Sequence, residues 1–516
     1  MEEQFNVRME KLKKLEELGV EIYPYEFDKS DDFRDIIETY KESSNEDLEA
    51  AGKVVKIAGR VTAIRKMGKS GFLHLFDGEA KLQVYVRKDM VPETDFQVYK
   101  LLDIGDIIGV EGKLFRTHSN ELTVLVSQLT FLTKSFHPLP EKWHGLQDKE
   151  LRYRQRYLDL VVNENTRKIF NLRSRIIQEI RMFFYRRGYL EVETPMMHSI
   201  PGGASAKPFI TRHKALGMDL YLRIAPELYL KRLLIGGMEK VFEVNRNFRN
   251  EGISHKHNPE FTMLEFYELY KDFNYYMKLT EDLIAVLNKN LLEDDFVEYE
   301  GKRIPMKPPF KRVKFMDIIC EKSGIPLDDL WDEAKLKAFI RENIPVEEMP
   351  PTYGKMLELI FDHYVQNSLQ EPVFVTYYPK AISPLSKRSR LDERETERFE
   401  LFIAGMEIAN GFSELNDPID QRKRFEAQVK DREKGDEEAQ AIDNDFLTAL
   451  EHGMAPAAGE GIGIDRLIML YSGTNSIKEV ILFPLLRPKG SQEVPAAKGA
   501  AHPPYKDEKE REEDNR

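Results

Sequence analysis

The sequence predicts an α+β protein in which a small N-terminal β-barrel precedes a larger domain with a central antiparallel sheet flanked by helices. Three observations predict this fold class. Short strand-like runs separated by glycine-marked turns begin at Lys53. An amphipathic helix pattern occupies residues 165–187. Two alternating runs within residues 240–269 flank a loop rich in charge, Gly and Pro, which is the pattern of an antiparallel hairpin with a long connection.

Composition bounds the class of protein. The chain has 516 residues, of which 41% are apolar and 32% charged, so two or three domains are expected. No apolar run approaches the roughly 20 residues of a membrane span, and the charged start lacks the apolar core of a signal peptide. The single cysteine, Cys320, excludes an internal disulfide framework and fits a reducing cytoplasm. We therefore expect a cytoplasmic protein without membrane contact.

The net charge of −12 argues against a protein that coats nucleic acid by charge alone. Residues 53–70, however, carry six basic residues and no acidic one. The KMGKS string inside this basic stretch is not surrounded by the strand, glycine-rich loop and helix of a phosphate-binding loop. The chain also contains no HIGH-like motif that would accompany such a string in a nucleotide site. We interpret it as a basic turn between barrel strands.

The N-terminal part divides into a helical segment, residues 1–50, and a strand-rich segment, residues 51–137. The five strand-like runs are VVKIAGRVTAIR, FLHLFDG, KLQVYVR, DIIGVEGKLFRTHS and ELTVLVSQLTFL. Five such strands predict a closed barrel of the OB type, which binds single-stranded nucleic acid by stacking and base-edge contacts. Phe72 is suited to stacking, and Gln83 and Glu121 are suited to hydrogen bonding. The alternative is that Phe72 is a core residue.

A proline-containing linker, residues 138–150, leads into the second domain, residues 151–487. Here the helix at 165–187 is followed by the strand-like YLEVETPMM, which Pro195 ends. The small residues of GGASAKPF, which include Gly203, allow close backbone approach to a ligand. Glu227 follows Pro226 at the front of a helix, where its carboxylate either serves a site or only satisfies the helix dipole.

Strand alternation sorts the side chains of the hairpin within residues 240–269. Asn245, Asn247 and Arg249 share one face of the first strand. On the second strand Phe261, Met263, Glu265 and Tyr267 lie together. An arginine, an aromatic ring, a carboxylate and a phenol on one face suit a phosphate, a flat base and a cationic group. The alternative is a half-buried hairpin whose charged face is solvated.

The remaining chemistry lies near the C-terminus, after a predicted helical insertion at about 271–379. Glu400 and Glu407 are candidate metal-bridging carboxylates, whereas Asn410, Phe412 and Glu414 share one strand face. Glu407 has the opposite parity, which a bulge or the strand start would explain. GEGIGIDRLIML then passes from a glycine-rich strand into a helix that carries Arg466. The tail, residues 488–516, is predicted to be disordered.

These motifs resemble those of the class II aminoacyl-tRNA synthetases. FRNEGISHKHNPEF is similar to motif 2, the helix, strand and proline after residue 165 to motif 1, and GEGIGIDRLIML to motif 3, in the order of that family. The strings HGLQDKELRYRQRYLDL, PGGASAKPF, IAPELYLKRLL, HNPEFTMLEFY and NGFSELND are most similar to lysyl-tRNA synthetases of the bacterial type, which have an N-terminal OB-fold anticodon-binding domain. The resemblance implies a homodimer that uses ATP, L-lysine and tRNA(Lys), with Mg²⁺ as cofactor.

The resemblance also implies a role for each candidate residue. Arg249 and Arg466 would be catalytic. The ATP-binding set would be Arg249, Glu251, His257, Asn258, Phe261 and Arg466. The lysine-binding set would be Gly203, Glu227, Arg249, Glu265, Tyr267, Asn410, Phe412 and Glu414. Glu400 and Glu407 would bind Mg²⁺, and Phe72, Gln83 and Glu121 would read the central anticodon base.

Charge favours lysine over the acidic and amide substrates of the sister enzymes, because an ammonium group needs carboxylates where an acidic side chain needs Arg or Lys. Two residues depart from the family pattern. Ala409 stands where many relatives have Gly and is expected to narrow the pocket wall, and Glu460 replaces an apolar or small residue. Two alternatives remain: a lysine-activating ligase that modifies a protein lysine, and a nucleic-acid-binding regulator with an inactive core.

Overall fold

The computed structural model describes residues 2–140, 146–436 and 438–488. Its contacts divide the chain into two compact units, with the boundary between Glu164 and Asn165. Among the helices of these residues, none is both long and apolar enough to cross a bilayer. Most of the predicted tail and residues 141–145 of the predicted linker lie outside the described residues.

The first unit is a closed five-stranded barrel with additional helices, as the sequence predicts. Its elements are α1 (Glu2–Glu17), α2 (Phe33–Tyr40), α3 (Asn45–Ala51), β1 (Val54–Met67), β2 (Ser70–Phe76), β3 (Lys81–Arg87), α4 (Glu93–Leu101), β4 (Ile107–Arg116), β5 (Leu122–Thr133), α5 (Lys149–Arg154) and α6 (Arg156–Val162). The strands close in the order β1-β2-β3-β5-β4. Because side chains alternate along β2, Leu73 and Leu75 point into the barrel core, whereas Phe72 and His74 point outward.

The second unit is larger and mixes helices with an extended sheet. Its helices are α7 (Glu164–Tyr185), α8 (Glu227–Ile235), α9 (Phe273–Leu291), α10 (Phe315–Ser323), α11 (Glu333–Asn343), α12 (Tyr353–Tyr364), α13 (Pro418–Glu433), α14 (Asn444–Glu451), α15 (Ile464–Ser472) and α16 (Ile477–Val480). Its strands are β6 (Leu190–Glu191), β7 (Met197–His198), β8 (Ile210–His213), β9 (Met218–Leu222), β10 (Lys240–Phe248), β11 (Glu260–Leu269), β12 (Phe296–Tyr299), β13 (Lys302–Pro305), β14 (Lys311–Lys314), β15 (Val373–Thr376), β16 (Arg398–Ile403), β17 (Met406–Ser413) and β18 (Ala457–Gly463).

Eight strands form the central sheet, in the order β14-β15-β16-β17-β18-β11-β10-β6. The inner pairs are antiparallel, as predicted, and the pairs at the two edges, β14 with β15 and β10 with β6, are parallel. One face packs against α7, α9 and α15 in the main hydrophobic core, to which Leu264, Phe266 and Ala409 contribute. Alternate residues of the same strands therefore face the other side of the sheet.

Two sequence predictions need correction in this unit. The predicted helical insertion at 271–379 is partly integral to the sheet, because α9 packs in the main core and β14 and β15 are sheet strands. Short charged edge strands carry too weak an alternation to be recognised in a sequence. The predicted strand YLEVETPMM forms only the two-residue strands β6 and β7, since Pro195 between them removes a backbone donor.

Glu460 on β18 is buried in the helix-covered side of the sheet. The Thr280 hydroxyl on α9 lies 2.9 Å from the carbonyl oxygen of Tyr276 and 2.6 and 2.7 Å from the two Glu460 carboxyl oxygens. One hydroxyl hydrogen serves one acceptor, so a protonated Glu460 donates to Thr280 while Thr280 donates to Tyr276. Burial raises the pKa of Glu460 well above its usual range, which agrees with a neutral carboxyl group.

We expect Glu460→Gln to stabilise the unit increasingly as the pH rises. The raised pKa means that the folded state binds a proton that the unfolded state has lost, so the wild-type free energy of unfolding falls as the pH rises above the unfolded pKa. The difference between variant and wild type should grow by up to about 1.4 kcal/mol per pH unit between pH 5 and 8. Thermal unfolding at several pH values measures it, and a difference that is constant with pH would contradict a neutral Glu460.

Candidate active site

A cavity of about 390 Å³ lies on the face of the sheet that α7, α9 and α15 do not cover. Most of the predicted site residues line it. They are Gly203, Glu227, Arg249, Glu251, His257, Asn258, Phe261, Glu265, Tyr267, Glu400, Glu407, Asn410, Phe412 and Arg466. Glu414 does not line the cavity, because it is completely buried beneath the surface that its neighbours form.

The register of β10 and β11 confirms the parity predicted for the hairpin. Asn247 pairs with Phe261 and Asn245 with Met263, so these residues share a face. Glu243 stands opposite Glu265, which places two carboxylates side by side. The Arg223 guanidinium donates to Glu243 over 2.7 Å in a buried pair and compensates one of them. Glu265 is left without a cation of its own on this hairpin.

Arg249 brings an incompletely compensated cation to the cavity wall. Its guanidinium lies over the Phe261 ring, with 5.1 Å between Cζ and the ring centroid. The buried Nε has no hydrogen-bond partner among the described residues. Burial lowers the pKa of Arg249, and the nearby Glu251 and Glu407 oppose that shift. An anion in the cavity would satisfy this guanidinium, because a buried charge without hydrogen bonds is costly.

Arg466, in the first turn of α15, contacts both Glu407 and His257 at this end of the cavity. Its Nη1 donates to the Glu407 carbonyl oxygen over 2.6 Å, and its Nη2 lies 3.1 Å from His257 Nε2. An arginine only donates, so Nε2 of His257 accepts and Nδ1 carries the hydrogen toward Ser254 Oγ at 2.9 Å. Burial, with Arg466 second, lowers the pKa of His257 and keeps the ring neutral.

The loop between β10 and β11 supplies the two remaining residues of the predicted ATP set. Asn258 is buried, and its Nδ2 donates to the Glu260 carbonyl oxygen over 2.6 Å. Its Oδ1 is buried without a hydrogen-bond partner among the described residues. Glu251 is exposed at the cavity rim. The structure thus brings an unpaired acceptor and a carboxylate to the end of the cavity that Arg249 and Arg466 occupy.

A β-bulge explains the parity of Glu407. The register between β16 and β17 shifts after Leu401, so that Ile408 has no partner while Glu407 pairs with Phe402. Glu407 therefore lines the same cavity as Glu400. Glu400 accepts a hydrogen bond from Tyr378 over 2.8 Å and pairs with Arg398, and burial raises its pKa to about 7.

These two carboxylates suit a cation that obtains its remaining oxygen ligands from a bound molecule and from water. Among the described residues, no group of three or more His, Cys, Asp or Glu side chains forms a metal cage. Mg²⁺ usually takes one or two carboxylates and obtains its other oxygens from phosphates and water. Glu407 forms one long ion pair, of 3.5 Å, with Arg466, whereas Glu400 shares its oxygens with Arg398 and Tyr378 at shorter distances.

Three carboxylates gather at the opposite end of the cavity. Burial raises the pKa of Glu265 to about 8, with Glu227 and Glu243 adding to the shift. Burial also raises the pKa of Glu227 and of Glu414. The Tyr267 hydroxyl donates to Glu265 over 3.4 Å, and Asn247 donates to the other oxygen of the same carboxylate over 3.5 Å. This acidic end suits a ligand that carries positive charge.

Sequence reasoning missed Lys231, which occupies the centre of this acidic end. Its Nζ lies 2.5 Å from a Glu227 oxygen and forms a second ion pair with Glu414. Glu227 and Glu414, which the sequence analysis assigns to the two ammonium groups of the substrate, thus also share an internal ammonium. The four-residue spacing of Glu227 and Lys231 on α8 was the signal, since residues at i and i+4 adjoin on a helix.

Other residues of the wall also escaped prediction. Arg398 donates through Nε to Asn410 Oδ1 over 3.2 Å, and Gln440 accepts from the Gly203 backbone N–H over 3.4 Å. The alternation of the strand RFELFI contained the signal for Arg398, which shares a face with Glu400. Ala409, expected to narrow the pocket, packs instead in the main core on the other side of the sheet.

Glycines make room for the acidic end. Gly203 has a φ of +88°, and a Cβ there would lie 3.1 Å from that of Glu227. A Cβ on Gly459 would come within 2.2 Å of the Tyr267 ring and 2.3 Å of a Glu414 oxygen. At Gly461 the nearest atom is the flexible end of Met263, at 2.9 Å. The glycines of β18 therefore let Tyr267 and Glu414 lie against the strand backbone.

On the barrel, the three predicted nucleic-acid contacts lie together. Phe72 is half-buried and stacks on Tyr85, with 4.4 Å between the ring centroids, so it is not a core residue. Gln83 donates to Glu121 over 2.8 Å, and His74 lies 3.0 Å from the other Glu121 oxygen. The arrangement offers an aromatic platform beside hydrogen-bonding groups, which suits an unstacked base.

Comparisons with known proteins cover almost the whole chain. The family model described as tRNA synthetases class II (D, K and N) matches residues 148–487, and the model described as OB-fold nucleic acid binding domain matches residues 55–132. A lysine–tRNA ligase of Halalkalibacterium halodurans is 51% identical over 489 residues, which cover 94% of this chain and 97% of the relative. The lysine–tRNA ligases of Moorella thermoacetica and Bacillus subtilis are 52% and 47% identical, over 94% of this chain and 97% and 98% of their own.

We expect Gly459→Ala to weaken lysine binding strongly, because the new methyl group displaces Tyr267 and Glu414. A displacement of about 1 Å in a site can cost about 10²-fold. Gly461→Ala is the matched control and should have a smaller effect, since only the end of Met263 must move. Calorimetric titration with lysine measures both variants, and equal losses would contradict the contact at Gly459.

Proposed function

The chain belongs to the family of class II tRNA synthetases (D, K and N), and from this premise we propose that it is a lysine–tRNA ligase. It activates L-lysine with ATP to give lysyl-adenylate and pyrophosphate, and then transfers lysine to the 3′ end of tRNA(Lys). Residues 151–487 are assigned to catalysis and residues 51–137 to anticodon binding. We also assign the protein to the cytoplasm.

The observation that carries the substrate assignment is the distribution of charge along the cavity. At one end the half-buried Arg249 side chain has a buried Nε that finds no hydrogen-bond partner in the part of the chain that the structure describes. At the other end lie three buried carboxylates, those of Glu227, Glu265 and Glu414, and one buried ammonium, that of Lys231, which pairs with Glu227 and Glu414. Free lysine carries a carboxylate and two ammonium groups, which match this distribution. An acidic side chain would add negative charge where negative charge is already in excess.

The first reaction step needs no protein base, because the lysine carboxylate is ionised when it attacks the α-phosphate of ATP. The attacking oxygen forms a bond to phosphorus while the bond to the pyrophosphate oxygen breaks. The chain's contribution is to position the reactants and to stabilise charge. In this proposal Arg249 contacts both the lysine carboxylate and the α-phosphate, and Phe261 stacks on the adenine. Arg466 lies on the other side of the base near the terminal phosphates.

Glu251, His257 and Asn258 complete the nucleotide site in this proposal. Mg²⁺ would be held by Glu400 and Glu407, and it would neutralise phosphate charge when bound. At the acidic end Glu227 takes the α-ammonium of lysine, and Glu265, Tyr267 and Glu414 take the ε-ammonium. Gly203, Asn410 and Phe412 line the pocket between them.

In the second step the terminal 3′ hydroxyl of the tRNA attacks the carbonyl carbon of the adenylate, and AMP leaves. The barrel selects the tRNA. The stack of Phe72 on Tyr85 offers a surface for the central anticodon base, a uracil, and Gln83 and Glu121 offer hydrogen bonds to its edge. We also propose a homodimer through the motif 1 region, where Tyr185, Leu190, Met196 and Met197 are exposed.

The two alternatives considered for the sequence are not favoured by a specific observation. The N-terminal residues match an OB-fold nucleic acid binding domain, which a ligase acting on a protein lysine does not need. The arginines and carboxylates that an inactive core would have lost are present and line one cavity.

The deciding experiment is exchange of labelled pyrophosphate into ATP with each of the twenty amino acids. We expect exchange with lysine, and Arg249→Ala should reduce it by about 10²–10³-fold because the developing charge on the phosphate loses its clamp. Arg246→Ala, three residues earlier on β10, is the matched control, since Arg246 does not line the cavity and pairs with Glu260 at the surface. Near-normal exchange in Arg249→Ala would refute the proposed contact of Arg249 with the α-phosphate. Exchange with another amino acid instead of lysine would refute the assignment of lysine as the substrate.

Phe72→Ala should impair charging of tRNA while leaving lysine-dependent pyrophosphate exchange intact. The stacking platform contributes about 1–3 kcal/mol per base, so the KM for tRNA should rise by about 5- to 150-fold. Phe136→Ala removes another half-buried ring, which packs on Phe5 instead of Tyr85, and it serves as the control. A loss of exchange together with charging in Phe72→Ala would show a structural role instead.

A further inference from the structure

The Lys231 ammonium is a cation of the protein itself, and it lies at the acidic end that is assigned to the ammonium groups of the substrate. Lys231 lies on α8 with no exposed surface, and its Nζ is 5.3 Å from the centroid of the Phe412 ring. It pairs with Glu227 over 2.5 Å and with Glu414. In the proposed function these two carboxylates serve opposite ends of the substrate, so one internal ammonium joins the two subsites.

The charges around Lys231 divide into balanced pairs and an unbalanced cluster. Arg223 with Glu243 and Arg398 with Glu400 are balanced ion pairs. The carboxylates of Glu227, Glu265 and Glu414 remain; the Lys231 ammonium pairs with Glu227 and Glu414, and Glu265 forms no ion pair with the described residues. When ionised, this cluster lacks two positive charges, which is the number that the α- and ε-ammonium groups of lysine supply.

We propose that Lys231 is a positioning and specificity-determining residue, which fixes Glu227 and Glu414 between the two ammonium sites of the substrate and favours their ionised forms. The inference rests on the proposed function, because it takes lysine as the substrate. Without Lys231 the cluster would lack three positive charges, and buried carboxylates without cations take up protons. A protonated carboxyl group accepts a weaker hydrogen bond from an ammonium than a carboxylate does.

The surroundings support this role. The titratable and charged groups that face the cluster are Glu227 and Lys231 on α8, Glu243 on β10 with its partner Arg223, Glu265 and Tyr267 on β11, Arg398 on β16, Glu414 after β17, and Arg249 after β10. Burial raises the pKa of Glu227 and of Glu414, and in both cases the Lys231 charge opposes the shift. Lys231 itself stays charged, since its two carboxylates raise its pKa despite burial.

Lys231→Met keeps an unbranched side chain that is one atom shorter, and it removes the charge. We expect it to raise the KM for lysine in pyrophosphate exchange by about 10- to 100-fold, which corresponds to the loss of a charge-assisted hydrogen bond, while the KM for ATP stays unchanged. Lys240→Met is the matched control. Lys240 pairs with the buried Glu268 over 2.9 Å outside the cavity, and its loss should leave the lysine KM as it is.

A pH readout separates this role from a purely structural one. Calorimetry of lysine binding in buffers of different ionisation enthalpy counts the protons released. Lys231→Met should release more protons per lysine bound than the wild type, because without Lys231 a larger fraction of the carboxyl groups is protonated and must lose a proton to the solvent when lysine binds. In Lys231→Ala, n-propylammonium should restore the lysine KM, and the neutral 1-propanol of similar size should not.

If Lys231→Met does not fold, Lys231→Gln keeps a hydrogen-bond donor without the charge and should show the same selective rise in the lysine KM. A folded variant in which the lysine KM is unchanged, or in which the lysine and ATP KM values rise together, would overturn the inference. Equal rescue by propanol and propylammonium would also overturn it. Absence of lysine-dependent exchange in the wild type would instead overturn the proposed function, and it is seen before a variant is made.

Discussion

Buried charge that the protein does not balance by itself is the constraint on which the catalytic unit depends. Arg249 lies at one end of the cavity, Glu227 and Glu265 line the other end, and Glu414 is buried beneath that end. Each of these charges would gain from a ligand group of the other sign. Burial of charge without compensation costs several kcal/mol, so such groups persist where a ligand or function offsets the cost. The raised pKa of Glu265, to about 8, reflects that cost.

The sheet holds these groups in place because each strand serves two environments. On β11, Leu264 and Phe266 pack in the main core on one side of the sheet. Glu265 and Tyr267, which alternate with them along the strand, line the cavity on the other side. A one-residue slip would exchange these two sets, so the core fixes the site. The glycines of β18 then allow the neighbouring strand to approach the acidic end without side chains of its own.

Alternation and motif spacing made much of this site predictable from the sequence. They gave the shared face of Phe261, Glu265 and Tyr267 because a strand has a fixed period of two. They did not give the position of Glu407, which depends on a bulge, or the edge strands β14 and β15, which are short and charged. Strand parity also placed Glu414 on the ligand side without revealing that its oxygens lie beneath the cavity wall, since depth depends on tertiary packing.

The buried position of Lys231 could not be predicted from the sequence pattern. In the sequence Lys231 is one member of an i, i+4 pair on an amphipathic helix, a pairing that is usually exposed and worth a few tenths of a kcal/mol. Its significance arises because α8 packs against β11 and brings Lys231 to Glu414, which is distant along the chain. The same two residues then change from a surface ion pair into a buried network. In that environment the count of charges, more than their identity, decides which ligand completes the site.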